Sequence, residues 1–146
     1  KMKILVLALM LASSSAFAHS SIAEQNRKIV REFYEMTFNQ HKPREAADKY
    51  FGADYKQHNP FVASGKKPFV DYFEGKFAKS KDSSAEIKRI LCEGDMVVVH
   101  VHSKENSKDL GRAVVDMFKV EHGKIVEHWD VVQAIPEKSA NTNTMF

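Results

Sequence analysis

Between residues 22 and 38 the apolar positions Ile29, Val30, Phe33, Tyr34, Met36 and Phe38 recur every three or four residues, and most of the charged residues fall on the other side. That period predicts an amphipathic helix with a wide apolar stripe. Pro43 suits the first position of a second, shorter helix whose face carries Ala46, Ala47, Tyr50 and Phe51, with Gly52 as its C-terminal cap. The segment YKQHNPFVASGKK breaks the pattern. A third helix starts at Pro68 and turns Phe69, Val70, Phe73 and Phe77 inward. After the polar stretch KSKDSSA the period changes to two, which predicts strands over 87–92, 96–102, 113–120 and 124–135. Gly94-Asp95 and Gly123 mark tight turns, and SKENSKDLG a longer loop. Three helices followed by a four-strand meander imply an α+β domain with its helices on one sheet face.

The first eighteen residues, KMKILVLALMLASSSAFA, place lysines before a nine-residue apolar run and end on Ala16-Phe17-Ala18, the pattern of a cleavable secretory signal peptide. The run is far shorter than the ~20 residues of a membrane-spanning helix. The expected organisation is therefore a signal peptide over 1–18 and one domain over 19–146, periplasmic or secreted, with no membrane in the mature form. Setting that segment's Lys1 and Lys3 aside lowers the formal charge from +3 to +1, so the basicity gives no reason to expect a nucleic-acid partner. Cys92 is the only cysteine, which rules out a disulfide within the chain.

One stretch resists a purely structural reading. In VVDMFKVEHGKIVEHWDVVQ, residues 114–133, two apolar strands around a turn carry Asp116, His128 and Asp130. Ionisable groups buried without partners cost several kcal/mol, so they signal a pocket, a metal or a paired network. A two-residue loop at His122-Gly123 needs positive φ at both positions; a three-residue loop, Glu121-His122-Gly123, needs it only at the glycine and is preferred on that ground. In that register Asp116 opposes His128 and Val114 opposes Asp130. The same face holds Val114, Phe118, Val126, Val132 and Ala134, a largely apolar wall for the two acids. The reverse face carries Ala113, Val115, Met117, Ile125, Trp129, Val131 and Ile135, apolar enough to predict a homodimer packed there.

YKQHNPFVASGKKPF, the hairpin and the tail NTNTMF together resemble the SnoaL-like polyketide cyclases of the nuclear transport factor 2-like superfamily, to which ketosteroid isomerase is related, and in particular their exported, aldol-condensation-type branch. The resemblance implies a cone: a curved, mostly antiparallel sheet wrapped by three N-terminal helices around a small-molecule cavity. By the same resemblance Asp116 falls where ketosteroid isomerase keeps a protonated aspartic acid that donates to the substrate oxyanion. Asp130 falls at the cyclases' acid/base aspartate. Asn59 occupies the place of the isomerase's general base, and an amide cannot take a proton, which argues against that isomerase chemistry. The implied function is a cofactor-independent cyclase or aldol-type enzyme acting on a partly apolar carbonyl compound. Asp130, Asp116 and His128 are its catalytic candidates, and His58, Asn59, Phe118, Val114 and Val132 its substrate-binding candidates.

Two other readings stay open. A non-catalytic periplasmic binding protein would use the same cavity without turnover. A metal site could draw on His58, His100, His102, His128 and the two aspartates; ordinary strand histidines are the simpler account, and no metal or other cofactor is expected. Met145-Phe146 could cover the cavity mouth or a neighbouring subunit.

Overall fold

The computed structural model describes residues 22–146; the leader expected over 1–18 lies outside the described residues. Helix α1 occupies 22–34 and widens into a π-turn over Glu35–Asn39. It is followed by α2 (Pro43–Tyr50), β1 (Phe51–Gln57), α3 (Lys66–Lys79), β2 (Ser84–Glu93), β3 (Met96–Lys104), β4 (Arg112–Glu121) and β5 (Lys124–Ala134). The strands form one curved, unclosed sheet in the order β1-β5-β4-β3-β2. Its pairs are antiparallel except at the β1–β5 edge, which is parallel. Among the described residues no helix is long and apolar enough to cross a membrane.

The α+β class and the three helices match the sequence pattern, but the sheet has five strands where the meander predicted four. The extra strand is β1. Helix α2 stops at Tyr50, so Phe51 and Gly52 begin a strand instead of finishing a helix. Alternation within FGADYKQ is obscured by a register shift between Phe51 and Lys56 in its pairing with β5. What the strand contributes to the core is a stacked aromatic pair, Phe51 and Tyr55, with ring centroids 3.9 Å apart.

The core lies between the helices and the concave sheet face. Phe33 sits at its centre and is 1% exposed. Its ring meets Phe51, Phe69 and Phe118 at centroid distances of 5.3, 5.8 and 5.7 Å, joining α1 to β1, α3 and β4. From β3, Val97, Val99 and Val101 point inward and are fully buried, while His100 and His102 alternate to the outer face. The π-turn is tied to the sheet edge by Asn39, whose Nδ2 donates to the Ala85 carbonyl (3.1 Å) and whose Oδ1 accepts the Ala85 N–H (2.9 Å).

The β4–β5 hairpin corrects the expected turn. Glu121 pairs with Lys124, leaving a two-residue loop with φ of 49° at His122 and 75° at Gly123. Positive φ at both positions is the geometry whose twist matches a hairpin, even though histidine is a poorer first residue for it than asparagine. The register then slips once: Val120 pairs with Ile125 but Lys119 with Glu127, so Val126 is an extra, bulged residue. Beyond the bulge Asp116 faces Asp130, Phe118 faces His128 and Val114 faces Val132. Ile125 was expected on the outer face; it lies before the bulge, opposite Val120, and is fully buried in the core. Gly52 packs beside the bulge, where an added Cβ would stand 3.0 Å from Val126 Cγ1.

His122→Asn should relieve the left-handed strain at the turn and raise stability by on the order of 0.5 kcal/mol. Urea unfolding followed by circular dichroism checks this; a lower midpoint in the variant would show that His122 makes a compensating contact.

Candidate functional site

Because side chains alternate along a strand, the bulge decides what faces the hollow: Val114, Asp116, His128, Asp130 and Val132 all fall on the concave side. A cavity of about 140 Å³ opens there, and Asp116 and Asp130 both line it. Its other polar walls come from Tyr34 at the end of α1, Gln57 and Asn59 at and just after the end of β1, Lys76 of α3 and Arg112 at the start of β4.

Asp116 is 5% exposed and both of its carboxylate oxygens are engaged. Oδ2 accepts a hydrogen bond from the Tyr34 hydroxyl, and Oδ1 lies 2.9 Å from His128 Nε2. Behind it His128 Nδ1 meets Gln57 Oε1 at 2.7 Å. The Asn59 backbone N–H also donates to that Gln57 atom (2.9 Å), and a main-chain N–H can only donate, so the atom is the amide oxygen. His128 Nδ1 therefore carries a proton. One further proton lies between Nε2 and Asp116, giving either an imidazolium–carboxylate pair or a neutral imidazole accepting from a carboxylic acid.

Asp130 is held differently. Its Oδ2 accepts from Asn59 Nδ2 at 2.6 Å, while its Oδ1 has no protein hydrogen bond among the described residues. The Asn59 amide orientation is fixed in turn, because Oδ1 accepts the Phe61 N–H at 2.8 Å across Pro60. Thus the loop after β1 supplies a rigid donor that aims one carboxylate into the cavity and leaves an oxygen available. The two acids stand side by side with unequal surroundings.

Electrostatics at the walls follow from burial. The Tyr34 phenol is pushed well above its ordinary range, first by desolvation and then by the adjacent Asp116 charge. Tyr55 is raised by burial and the same two aspartates. The Lys76 ammonium is pushed below the usual lysine value, mainly by desolvation and secondly by the Arg112 charge.

Of the residues expected from the sequence, Asp116, Asp130, Asn59, Val114 and Val132 line the cavity. Phe118 does not: it is 2% exposed and packs behind the site against Phe33 and His128. His128 likewise reaches the cavity only through Asp116. His58 is on the wrong face, since its backbone N–H continues the β1–β5 pairing through the His128 carbonyl. Its ring stacks on Trp129 at 4.7 Å and meets Glu127 Oε1 at 2.7 Å. His100 and His102 are also on that outer face, against Phe146, so the tail covers sheet surface there and not the mouth lined by the acids. The histidine cluster needed for the wider metal reading does not assemble. One trio does: among the described residues Asp116, His128 and Asp130 each offer a ligand atom within 4.8 Å of the others. A cation there would have to part His128 Nε2 from Asp116.

Sequence reasoning missed Tyr34, Gln57, Lys76 and Arg112. Three had a readable sign. Tyr34 is the one hydroxyl-bearing ring in the α1 stripe, Lys76 follows Phe69 and Phe73 at helical spacing, and Arg112 shares the parity of Val114 and Asp116.

Helices wrapped on a curved open sheet around such a hollow define the nuclear transport factor 2-like class of cone folds. Residues 30–128 match the SnoaL-like domain family, and the chain belongs to that family. Among solved structures it is similar to a candidate SnoaL-like polyketide cyclase from Jannaschia sp. CCS1, with TM-score 0.66 and 15% identity over 76% of this chain and 87% of that one. TsrD from Streptomyces laurentii gives TM-score 0.59 and 22% identity over 73% and 89%. A candidate ketosteroid isomerase from Kribbella flavida gives 0.63 and 15% over 82% and 85%. At these identities the likeness establishes the fold. No curated protein shows significant similarity to the chain.

Tyr34→Phe should leave Asp116 Oδ2 short of its donor and cost about 1–3 kcal/mol at pH 8. In the wild type the folded phenol keeps its proton above the pH, near 10, at which the unfolded chain loses it, so stability falls as pH rises beyond that point. Lys76 has the opposite sign, but it is common to both proteins and cancels in their difference. The gap between wild type and variant should therefore narrow from pH 9 to 11 in urea titrations; a constant gap would remove the buried-phenol assignment.

Proposed function

We propose that this SnoaL-like chain is a cofactor-independent acid/base enzyme that enolises a carbonyl compound and closes or condenses it, a cyclase or aldol-type reaction. The observation that carries the reading is the asymmetry of the acids: Asp130 has an oxygen open to the cavity, whereas both oxygens of Asp116 are engaged. Asp130 is then the base. Its carboxylate removes a proton from the carbon beside the carbonyl, the C–H pair becomes the enolate double bond, and the carbonyl π pair moves to oxygen. The donor for that oxygen is the Tyr34 hydroxyl, which lines the cavity: as negative charge grows it turns from Asp116 to the enolate, while the shared proton stays between His128 and Asp116. The enolate carbon next attacks a second carbonyl, forming the C–C bond, and the new alkoxide takes the proton back from Asp130. In this scheme Asn59 and His128 are positioning residues, since each acts through an aspartate.

Names borne by the structural neighbours, polyketide cyclase and ketosteroid isomerase, are consistent with enolate chemistry in this fold. A non-catalytic binding protein remains the competing reading, favoured by the full satisfaction of Asp116. The proposal extends to a homodimer through the face bearing Trp129, supported by Leu91 and Val131, 66% and 64% exposed on that face. It also includes export of the mature chain to the periplasm or beyond, supported by the leader pattern of residues 1–18.

The test is deuterium exchange at carbons beside the carbonyl in a panel of small ketones and diketones, followed by NMR in D₂O. Wild type should accelerate exchange, and Asp130→Asn should lose about 10²–10⁴-fold of that acceleration with its unfolding midpoint preserved. Equal exchange by both proteins would overturn the assignment of Asp130. Binding without any exchange would leave the ligand-binding reading in its place.

A further inference from the structure

Two cations share the cavity with the acids, and one of them makes no ion pair among the described residues. Arg112 Nη2 pairs with Glu105 Oε1 at 2.8 Å. Among the described residues no carboxylate lies within ion-pair distance of Lys76, which sits on the inward stripe of α3 and lines the same hollow as Arg112. Lysine is seldom placed on an apolar face without a reason, because its ammonium gives up hydration there. Here it gives up hydration and faces another cation as well, and these two effects outweigh the opposing attraction of Glu105 and lower its proton affinity. An unpaired, partly desolvated ammonium aimed at a cavity beside a guanidinium is complementary to a planar anion. Among the charged groups Asp116 is almost completely buried, whereas Asp130 and Lys76 are half-buried and the Arg112 side chain is 43% exposed. The floor of the hollow is therefore acidic at Asp116, and both cations lie nearer its rim.

Size narrows the occupant further. A cavity of about 140 Å³ is close to the ~150 Å³ that encloses one benzene molecule. A fused-ring substrate could not be enclosed in it. We propose that the substrate is a short-chain keto acid, its carboxylate held between Lys76 and Arg112 and its carbonyl directed inward to Tyr34 and Asp130. This deepens the enolisation proposed above and rests on it for the role of the inner end, but the recognition of the carboxylate can be measured without turnover.

The experiment is a calorimetric titration of Asp130→Asn protein, which cannot enolise the ligand under that proposal, with 3-oxobutanoate and 4-oxopentanoate against their neutral methyl esters. The acids should bind at least ten-fold more tightly than the esters. Adding Lys76→Met, which keeps the apolar stem in place, should cut affinity for the acids about ten-fold or more and abolish their advantage, while Lys76→Arg should retain it. Arg112→Met should act in the same direction. Equal affinity for acid and ester, no saturable binding of either acid, or undiminished binding by Lys76→Met would overturn the inference. Because exchange of neutral ketones by wild type is measured separately, enolisation without acid preference would refute only the keto acid, and acid preference without exchange would refute only the enzyme.

Discussion

Every chemical property of the site depends on strand parity. With side chains alternating at a period of two, a two-residue turn at His122-Gly123 would by itself set Asp116 opposite Trp129 and send His128 and Asp130 to the outer face. The bulged residue Val126 adds one position and reverses that outcome. It also explains why Ile125, on the turn side of the bulge, is core, and why Trp129 is left outside to stack on His58. Gly52 belongs to the same device: β1 can close on the bulge because no Cβ stands against Val126. A three-residue loop would have given the same parity with Asp116 opposite His128; the molecule reaches the same face by another route, and the two acids become cross-strand neighbours.

Placing two carboxylates opposite each other is costly unless their surroundings differ, since like charges at such a distance disfavour joint ionisation. The differences here are supplied by two neighbouring side chains, Gln57 and Asn59. Gln57 fixes the proton on His128 Nδ1, which makes the His128–Asp116 contact hold one movable proton. Asn59 gives Asp130 a single neutral donor and leaves its other oxygen open. A segment of three residues at the end of β1 thereby gives two identical functional groups unlike surroundings, which is how paired acids commonly come to differ in role.

That segment is also where the sequence was hardest to read. The helices were legible because Phe33, Phe69 and their companions repeat at helical spacing, and β3 to β5 were legible because valines alternate. FGADYKQ does neither: Gly52, Asp54 and Lys56 interrupt it, and its identity as a strand comes from pairing in parallel with β5, more than seventy positions away in the chain. Propensity contains no information about such a partner. His58 was misplaced for the same reason, since without the strand nothing fixed which way consecutive residues 57, 58 and 59 point. Asp116, His128 and Asp130 could be grouped from parity alone, whereas Tyr34 was absorbed into the apolar stripe of α1 and Lys76 went unremarked between Phe73 and Phe77. A polar residue on an apolar face is the signal that separates them from the core.

The distribution of charge along the hollow has a consequence for orientation that the fold alone would not supply. Two unit charges 4 Å apart interact by about 4 kcal/mol at an effective dielectric of ~20. A ligand entering with its anionic group toward the floor would meet Asp116 and Asp130 at once, whereas the reverse entry places that group beside Lys76 and Arg112. Repulsion at one end and attraction at the other act in the same sense, so the orienting energy is the sum of both. A neutral ligand of equal size experiences neither, and only hydrogen bonding to the cavity wall, such as that offered by Tyr34, orients its carbonyl. Under the proposed chemistry the rim cations would act on the geometry of proton transfer as well as on affinity, by holding the acidic carbon within reach of the base for a larger fraction of the bound time.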